Sequence, residues 1–191
     1  MARRIAIFYG SGEGQTEKIA GYIARHLGGL DFQVDSFDAK KLPAQFDADI
    51  YDGLMVGASV HAGGYPKAIA RLVREHRSAL ESKPSAFFSV SLTASDKSES
   101  AQQEIQEIID NFLGDLQWQP LVVGSFAGAI PFGRYGFFKR MAMKAILRAR
   151  GEVVDSSKDY EYTDWNAVDE FADEFARLVE ETVDYDVRPR T

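Results

Sequence analysis

The residues Ile5-Ala-Ile-Phe-Tyr-Gly-Ser-Gly-Glu-Gly-Gln-Thr16 join an apolar run to a loop of glycine and hydroxyl residues. Residues 5–9 are long enough for a buried strand, and from Thr16 onward apolar residues recur at helical spacing. A strand, a glycine loop and a helix in this order favour phosphate binding, because the first helical N–H groups lack acceptors and the helix dipole attracts anions. The stretch therefore predicts a phosphate site on Ser11, Gly12, Glu13, Gly14, Gln15 and Thr16.

The loop does not match the two common nucleotide motifs. The dinucleotide fingerprint needs a glycine where Gln15 stands, and the Walker A motif needs a Lys-Ser/Thr pair after Gly14. ATP or GTP with magnesium is thereby disfavoured. A loop without a cation suits a phosphomonoester that is held by neutral donors.

Composition narrows the class of protein further. A chain of 191 residues is predicted to form one domain over 1–191, and the absence of cysteine excludes disulfides, thiolate metal sites and cysteine nucleophiles. The N-terminus runs straight into the first strand, and no apolar run approaches the length of about 18 residues that a membrane span needs. We expect a cytoplasmic protein, and no metal, because no ligand set at metal spacing is visible.

Charge is distributed unevenly along the chain. The segment at about 131–150 carries six cations and no acid, whereas the remaining residues carry 16 Lys and Arg against 29 Asp and Glu, a net charge of −13. An acidic body argues against nucleic-acid binding. The segment itself is amphipathic at helical spacing, which suits either a membrane surface or a core-packed helix with a solvated basic face.

The phosphate loop carries a recognisable signature. Tyr9-Gly-Ser-Gly-Glu-Gly-Gln-Thr16 resembles the flavodoxin motif Ser/Thr-x-x-Gly-x-Thr, with Ser11, Gly14 and Thr16 on the pattern. In flavodoxins this motif cradles the phosphate of FMN. The resemblance implies that FMN is the cofactor.

Strand and helix patterns alternate along the whole chain. Strands are predicted at 5–9, 32–37, 53–58, 85–91 and 121–127, and the last helix is predicted to begin after an N-cap at Thr163 or Asp164. This alternation indicates α/β architecture, and the spacing fits a flavodoxin-like three-layer sandwich with a five-stranded parallel sheet of order 2-1-3-4-5.

In that order, the loops after strands 1, 3 and 4 meet at the carboxyl edge of the sheet, where the ligand of such folds lies. Cofactor contacts are therefore predicted from residues in the second and third of these loops as well: Ala58, Ser59, Val60, His61, Ser91, Leu92, Thr93 and Ala94.

A closer resemblance covers residues 5 to about 178. Gly57-Ala-Ser-Val-His-Ala-Gly-Gly-Tyr65, Ala127-Gly-Ala-Ile-Pro-Phe-Gly-Arg-Tyr135 and Tyr162-Thr-Asp-Trp165 are similar to segments of the menaquinone-dependent protoporphyrinogen IX dehydrogenases. These are flavodoxin-fold enzymes of haem biosynthesis. The resemblance implies oxidation of protoporphyrinogen IX to protoporphyrin IX, with electrons passing through FMN to menaquinone or ubiquinone.

The resemblance also gives roles to particular side chains. His61 or Tyr65 could flank the flavin ring, and Arg134 with nearby cations could hold the carboxylates of the tetrapyrrole. Alternatively, the segment at 131–150 makes peripheral contact with the inner face of the cell membrane. Two other functions stay open: an electron-carrier flavodoxin, and an FMN-dependent NAD(P)H:quinone reductase.

Overall fold

Five parallel strands form the central sheet of the computed structural model, which describes residues 2–134, 141, 155 and 157–186. The strands are β1 (Arg4–Gly10), β2 (Gln33–Asp38), β3 (Gly53–Ser59), β4 (Ser85–Ser91) and β5 (Val122–Ala127). They are ordered β2-β1-β3-β4-β5, with every neighbouring pair parallel. The predicted fold class and strand order are confirmed.

Helices cover both faces of the sheet. They are α1 (Gln15–Gly29), α2 (Lys67–Glu75), α3 (Arg77–Ser82), α4 (Glu99–Leu116) and α5 (Trp165–Asp186). Residues Ile5 and Ile7 of β1 point towards α1 and α5, whereas Ala6 and Phe8 point towards α2 and α4. This alternation builds one hydrophobic core on each face, and together they form the predicted three layers.

The ends of the helices differ from the predictions in detail. The helical pattern that follows Pro66 is divided at His76, where α2 ends and α3 begins. Helix α5 begins at Trp165, and Asp164 Oδ1 accepts hydrogen bonds from the N–H groups of Asn166 and Ala167 at 3.1 and 3.4 Å. Of the two predicted N-cap residues, Thr163 and Asp164, the one that caps the helix is Asp164.

A two-stranded hairpin was not predicted. Strands β6 (Ala129–Ile130) and β7 (Tyr160–Glu161) pair in antiparallel fashion, although about 30 residues separate them in sequence. Phe132 and Ile130 are fully buried below the hairpin, against Leu92 and Tyr160. The predicted amphipathic helix at about 131–150 lies mostly outside the described residues.

No helix in the described part of the chain is both long enough and apolar enough to cross a membrane.

Candidate functional site

A cavity of about 370 Å³ opens at the carboxyl edge of the sheet. It brings together the three loops that the sequence placed there: Ser11, Glu13, Gln15 and Thr16; Ser59, Val60 and His61; and Ser91, Leu92 and Thr93. Its volume falls within the usual range of small-molecule sites. The loops therefore form one concave surface with the phosphate loop along one side.

The other predicted contact residues lie beside this cavity. Gly14 lines an adjoining cavity, and Gly12 lies against the His61 ring. Ala58 is fully buried in β3, and the N–H group of Ala94 donates to Ser91 Oγ at 3.1 Å. Neither of these two residues lines either cavity.

The phosphate loop is held in its turn by its own polar groups. Gly14, the N-cap of α1, has φ of 100°, a conformation that strains any residue with a Cβ. Its N–H group donates to Ser11 Oγ at 2.8 Å, and its carbonyl accepts from the N–H group of Lys18 at 3.0 Å. The N–H groups of Gln15, Thr16 and Glu17 lie in the first helical turn, where no intrahelical acceptor exists.

Thr16 provides a test of whether an anion fits this loop. Its side chain is buried, and Oγ1 has no hydrogen-bond partner in the protein. An unpaired buried hydroxyl costs about 1–3 kcal/mol, so it calls for a ligand acceptor. Thr16 also lines the cavity, beside N–H groups that suit an oxyanion. The residues present therefore fit a phosphate group.

His61 closes a tight turn over this loop. Its backbone N–H and C=O groups pair with those of Gly64 at 2.8 and 3.2 Å, and the central residues Ala62 and Gly63 have φ of 50° and 74°. Positive φ at both central positions defines a type I′ turn. A Cβ added to Gly12 would lie only 2.2 Å from His61 Nε2, so the imidazole rests directly on the phosphate loop.

Tyr65, the other residue predicted to flank the flavin, packs beside the sheet. Its ring packs against Phe87 and Phe112, with centroids 5.4 and 4.5 Å away, and its hydroxyl donates to Ser89 Oγ at 2.8 Å. Burial raises the pKa of Tyr65 to about 12, although the Ser89 hydrogen bond acts in the opposite direction. Tyr65 is thus a half-buried residue that packs against the core, and it does not line the cavity.

Helix α4 supplies a cavity wall that the sequence analysis missed. Glu104, Ile105 and Ile108 line the cavity together with the phosphate loop, as do Gly128 and Ala129 after β5. The isoleucines were recognisable as one apolar helix face. Which of them faces the core and which faces the cavity depends on packing, and no sequence pattern reports it.

A second cavity, of about 530 Å³, adjoins the first on the hairpin side of the phosphate loop. Glu13, Gln15 and Ala129 line both cavities. The second is mainly acidic, with Glu13, Glu17, Asp159 and Glu161 in its wall and Lys18 paired to Glu161. Burial alone would raise the pKa of Glu161, but hydrogen bonds from Lys18 and Gln15 lower it overall, so the carboxylate is ionised at neutral pH.

Two further predictions concern Arg134 and metal ions. Arg134 ends the short 3₁₀ turn Phe132–Arg134 near the hairpin, and its side chain lies outside the described part. Within the described residues, no three His, Asp or Glu side chains converge in a metal-binding arrangement.

Comparison with known proteins agrees with this geometry. The flavodoxin domain family matches residues 6–157. A protein named protoporphyrinogen IX dehydrogenase [quinone] from Leishmania major is 38% identical over 90% of this chain and 74% of its own length. A protein of the same name from Escherichia coli is 34% identical over 91% of this chain and 95% of its own length.

Among solved structures, a variant flavodoxin from Pseudomonas aeruginosa has a TM-score of 0.54 at 14% identity, covering 93% of this chain and 99% of its own. Identity at that level supports the fold alone. The family match covers most of the chain, and the two relatives are 38% and 34% identical to it over about nine tenths of its length, so these comparisons show the family as well as the fold. The chain therefore belongs to the flavodoxin-fold family that contains the quinone-dependent protoporphyrinogen IX dehydrogenases.

Proposed function

We propose that this protein binds FMN, oxidises protoporphyrinogen IX to protoporphyrin IX and transfers the electrons to a quinone. The observation that carries the proposal is the identity of 38% and 34% with two protoporphyrinogen IX dehydrogenases over about nine tenths of the chain. The cavity beside a preformed phosphate loop is the place where such a reaction would occur.

FMN is the flavin that suits this loop. The first-turn N–H groups and the hydroxyls of Ser11 and Thr16 would hold its phosphate, and these are neutral donors without a cation. His61 and Leu92, which line the cavity, would contact the flavin ring. Bound there, FMN supplies the two-electron redox chemistry, and the protein supplies orientation and electrostatics.

The polar groups around the two cavities indicate how the protein interacts with its substrate. His61 and Glu104 both line the cavity, so either can accept or donate a proton there. The acidic second cavity repels the carboxylates of a tetrapyrrole. We therefore propose that these carboxylates face the cations of the segment at 131–150, Arg134 included.

The acceptor, menaquinone or ubiquinone, dissolves in lipid. We propose, as the alternative to this substrate contact, that the segment at 131–150 brings the protein to the inner face of the membrane, where cations meet anionic lipid.

An anaerobic turnover assay tests the proposal. Purified protein is loaded with FMN and mixed with protoporphyrinogen IX, with and without a soluble quinone, and porphyrin fluorescence is recorded. We expect porphyrin only when quinone is present, with three quinones reduced per porphyrin because six electrons leave the substrate.

The variant Gly14→Val should lose FMN and activity together, because any Cβ at φ of 100° distorts the loop. The matched control Gly114→Ala, in open space on α4, should keep both.

One observation favours an electron carrier as the second candidate. Acidic groups such as Glu13, Glu17 and Glu104 surround the cavity, as is typical of proteins that dock basic redox partners. A carrier would accept and release electrons but form no porphyrin in the assay. Rapid quinone reduction with NADPH in place of porphyrinogen would instead indicate an NAD(P)H:quinone reductase.

A further inference from the structure

Thr163 connects three parts of the fold that are far apart in sequence. It lies between β7 and α5, and its Oγ1 donates a hydrogen bond to the carbonyl of Ala127, at the end of β5, at 2.7 Å. The same oxygen accepts a hydrogen bond from Gln15 Nε2 at 2.8 Å. Because a hydroxyl has a single proton, donation to Ala127 fixes Oγ1 as an acceptor towards Gln15.

Gln15 is the residue through which this contact reaches the phosphate loop. It is the first residue of α1 and lines both cavities. Its side chain also hydrogen-bonds Glu161, which helps to lower the pKa of that carboxyl group. The amide is therefore held by two partners, Thr163 and Glu161, and these bonds restrict the conformations open to residue 15.

We propose that Thr163 is a positioning residue for the flavin phosphate. By holding the Gln15 side chain, it fixes the direction of the first N–H groups of α1, which would otherwise vary as helix ends fray. This inference rests on the proposed binding of FMN. Thr163 lies almost 150 positions away from the loop in sequence, yet on this inference it contributes to the selectivity for a phosphorylated flavin.

Matched substitutions separate this role from general support of the fold. Thr163→Val keeps the shape and removes the hydroxyl, whereas Thr163→Ser keeps the hydroxyl. Thr182→Val makes the same chemical change on α5, where the exposed hydroxyl donates to the carbonyl of Leu178 in its own helix. Dissociation constants of FMN and of riboflavin, which lacks the phosphate, are measured by flavin fluorescence quenching in each apoprotein.

We expect Thr163→Val to weaken FMN binding about tenfold, as loss of one orienting hydrogen bond allows, and to leave riboflavin binding unchanged. Thr163→Ser and Thr182→Val should bind FMN as the parent does, within about twofold. Gln15→Met removes the same contact from the other side and should reproduce the split between FMN and riboflavin, so the test does not depend on one variant folding.

Other results overturn the inference. If Thr163→Val leaves FMN affinity unchanged, or weakens both flavins equally, Thr163 only supports the fold. If the parent protein binds no FMN, the proposed function fails and this inference fails with it. If the parent binds FMN and the variants show no split, the inference alone is wrong.

Discussion

At the scale of single residues, Thr16 is a binding residue that lowers the stability of the protein when no ligand is bound. Its hydroxyl is enclosed and unpaired, although a valine of nearly the same shape would fill the space. An unsatisfied hydroxyl at the start of a helix, inside a cavity, is best explained by a ligand that completes its hydrogen bonds.

Thr16→Val should therefore separate stability from binding. We expect the free energy of unfolding of the apoprotein to rise by about 1 kcal/mol, because an unsatisfied polar group is removed, and FMN affinity to fall about tenfold. Ser11→Ala is the matched control: its hydroxyl is already paired with the N–H group of Gly14, so the apoprotein should become less stable. Urea unfolding and fluorescence titration measure the two quantities. A less stable Thr16→Val apoprotein would contradict the assignment.

Tyr65 carries a prediction about pH. Burial raises its pKa to about 12, so the neutral phenol stabilises the fold fully below pH 10, and this stabilisation is lost as the pH rises towards 12. The Tyr65→Phe variant has no phenol proton to lose at this position. Between pH 10 and 12, its free energy of unfolding should therefore fall by about 2 kcal/mol less than that of the parent protein. Tyr51, whose pKa burial and Asp35 also raise to about 12, contributes in both proteins and cancels in the comparison. Urea unfolding of both proteins at a series of pH values measures this difference. If the free energy of unfolding falls equally steeply with pH in both, Tyr65 does not contribute to the pH dependence of stability.

At the scale of elements, the contact between β3 and β4 depends on one glycine. Gly57 and Phe88 are opposite each other in the register of the two strands. The Phe88 ring lies across Gly57 so closely that an added Cβ would be 2.0 Å from the ring. Both strands are buried along their whole length, so the ring has little space to move aside.

Gly57→Ala should therefore destabilise the protein by about 1–3 kcal/mol or more, the usual cost of overpacking a core. Gly114→Ala is the same change on α4, where nothing lies within 4 Å, and it should stabilise the protein by up to about 1 kcal/mol through helix propensity. Thermal and urea unfolding of the pair measure the contrast. Similar midpoints for both variants would mean that the Phe88 ring can leave Gly57 at little cost.

The elements also show which parts of the structure a sequence can predict. Buried runs such as residues 53–58 and 85–91 are long and uninterrupted, so the strands were predicted within a residue or two. The β6–β7 hairpin has only two residues in each strand, too few for any periodic pattern. Its contacts come from residues far apart in sequence: the N–H group of Gly133, after β6, donates to Asp159 Oδ1, before β7.

At the scale of the whole molecule, the parallel sheet places three chemically similar loops at one edge. Their convergence was predictable, because parallel strands all end at the same edge and small polar loops are easily recognised. The α4 wall and the packing of Tyr65 against Phe87 and Phe112 were not, since both depend on how side chains pack between helices and sheet. The Gln15–Thr163 contact was beyond prediction for the same reason.

The charge of the whole chain leads to the last prediction, that the basic segment at 131–150 docks on membranes. The segment carries a charge of +6 in a chain that is otherwise at −13, so an anionic surface would attract the segment and repel the remainder. Changing Lys139, Arg140 and Lys144 to Glu should cost at least about 3 kcal/mol of membrane affinity, roughly a hundredfold, at about 1 kcal/mol per cation. The loss should shrink at high salt, where charges are screened.

Co-sedimentation with vesicles that contain phosphatidylserine, at low and high salt, measures this affinity. Changing Lys40, Lys41 and Lys97 to Glu provides a control with the same change in net charge, since all three are exposed and lie outside the segment. The control should sediment nearly as the parent does, and both variants should keep FMN, because the phosphate loop is elsewhere in the fold.

Activity with a membrane quinone should fall more in the segment variant than activity with a soluble quinone. If both activities fall equally while vesicle binding is unchanged, the cations hold the carboxylates of the tetrapyrrole and the membrane role is wrong.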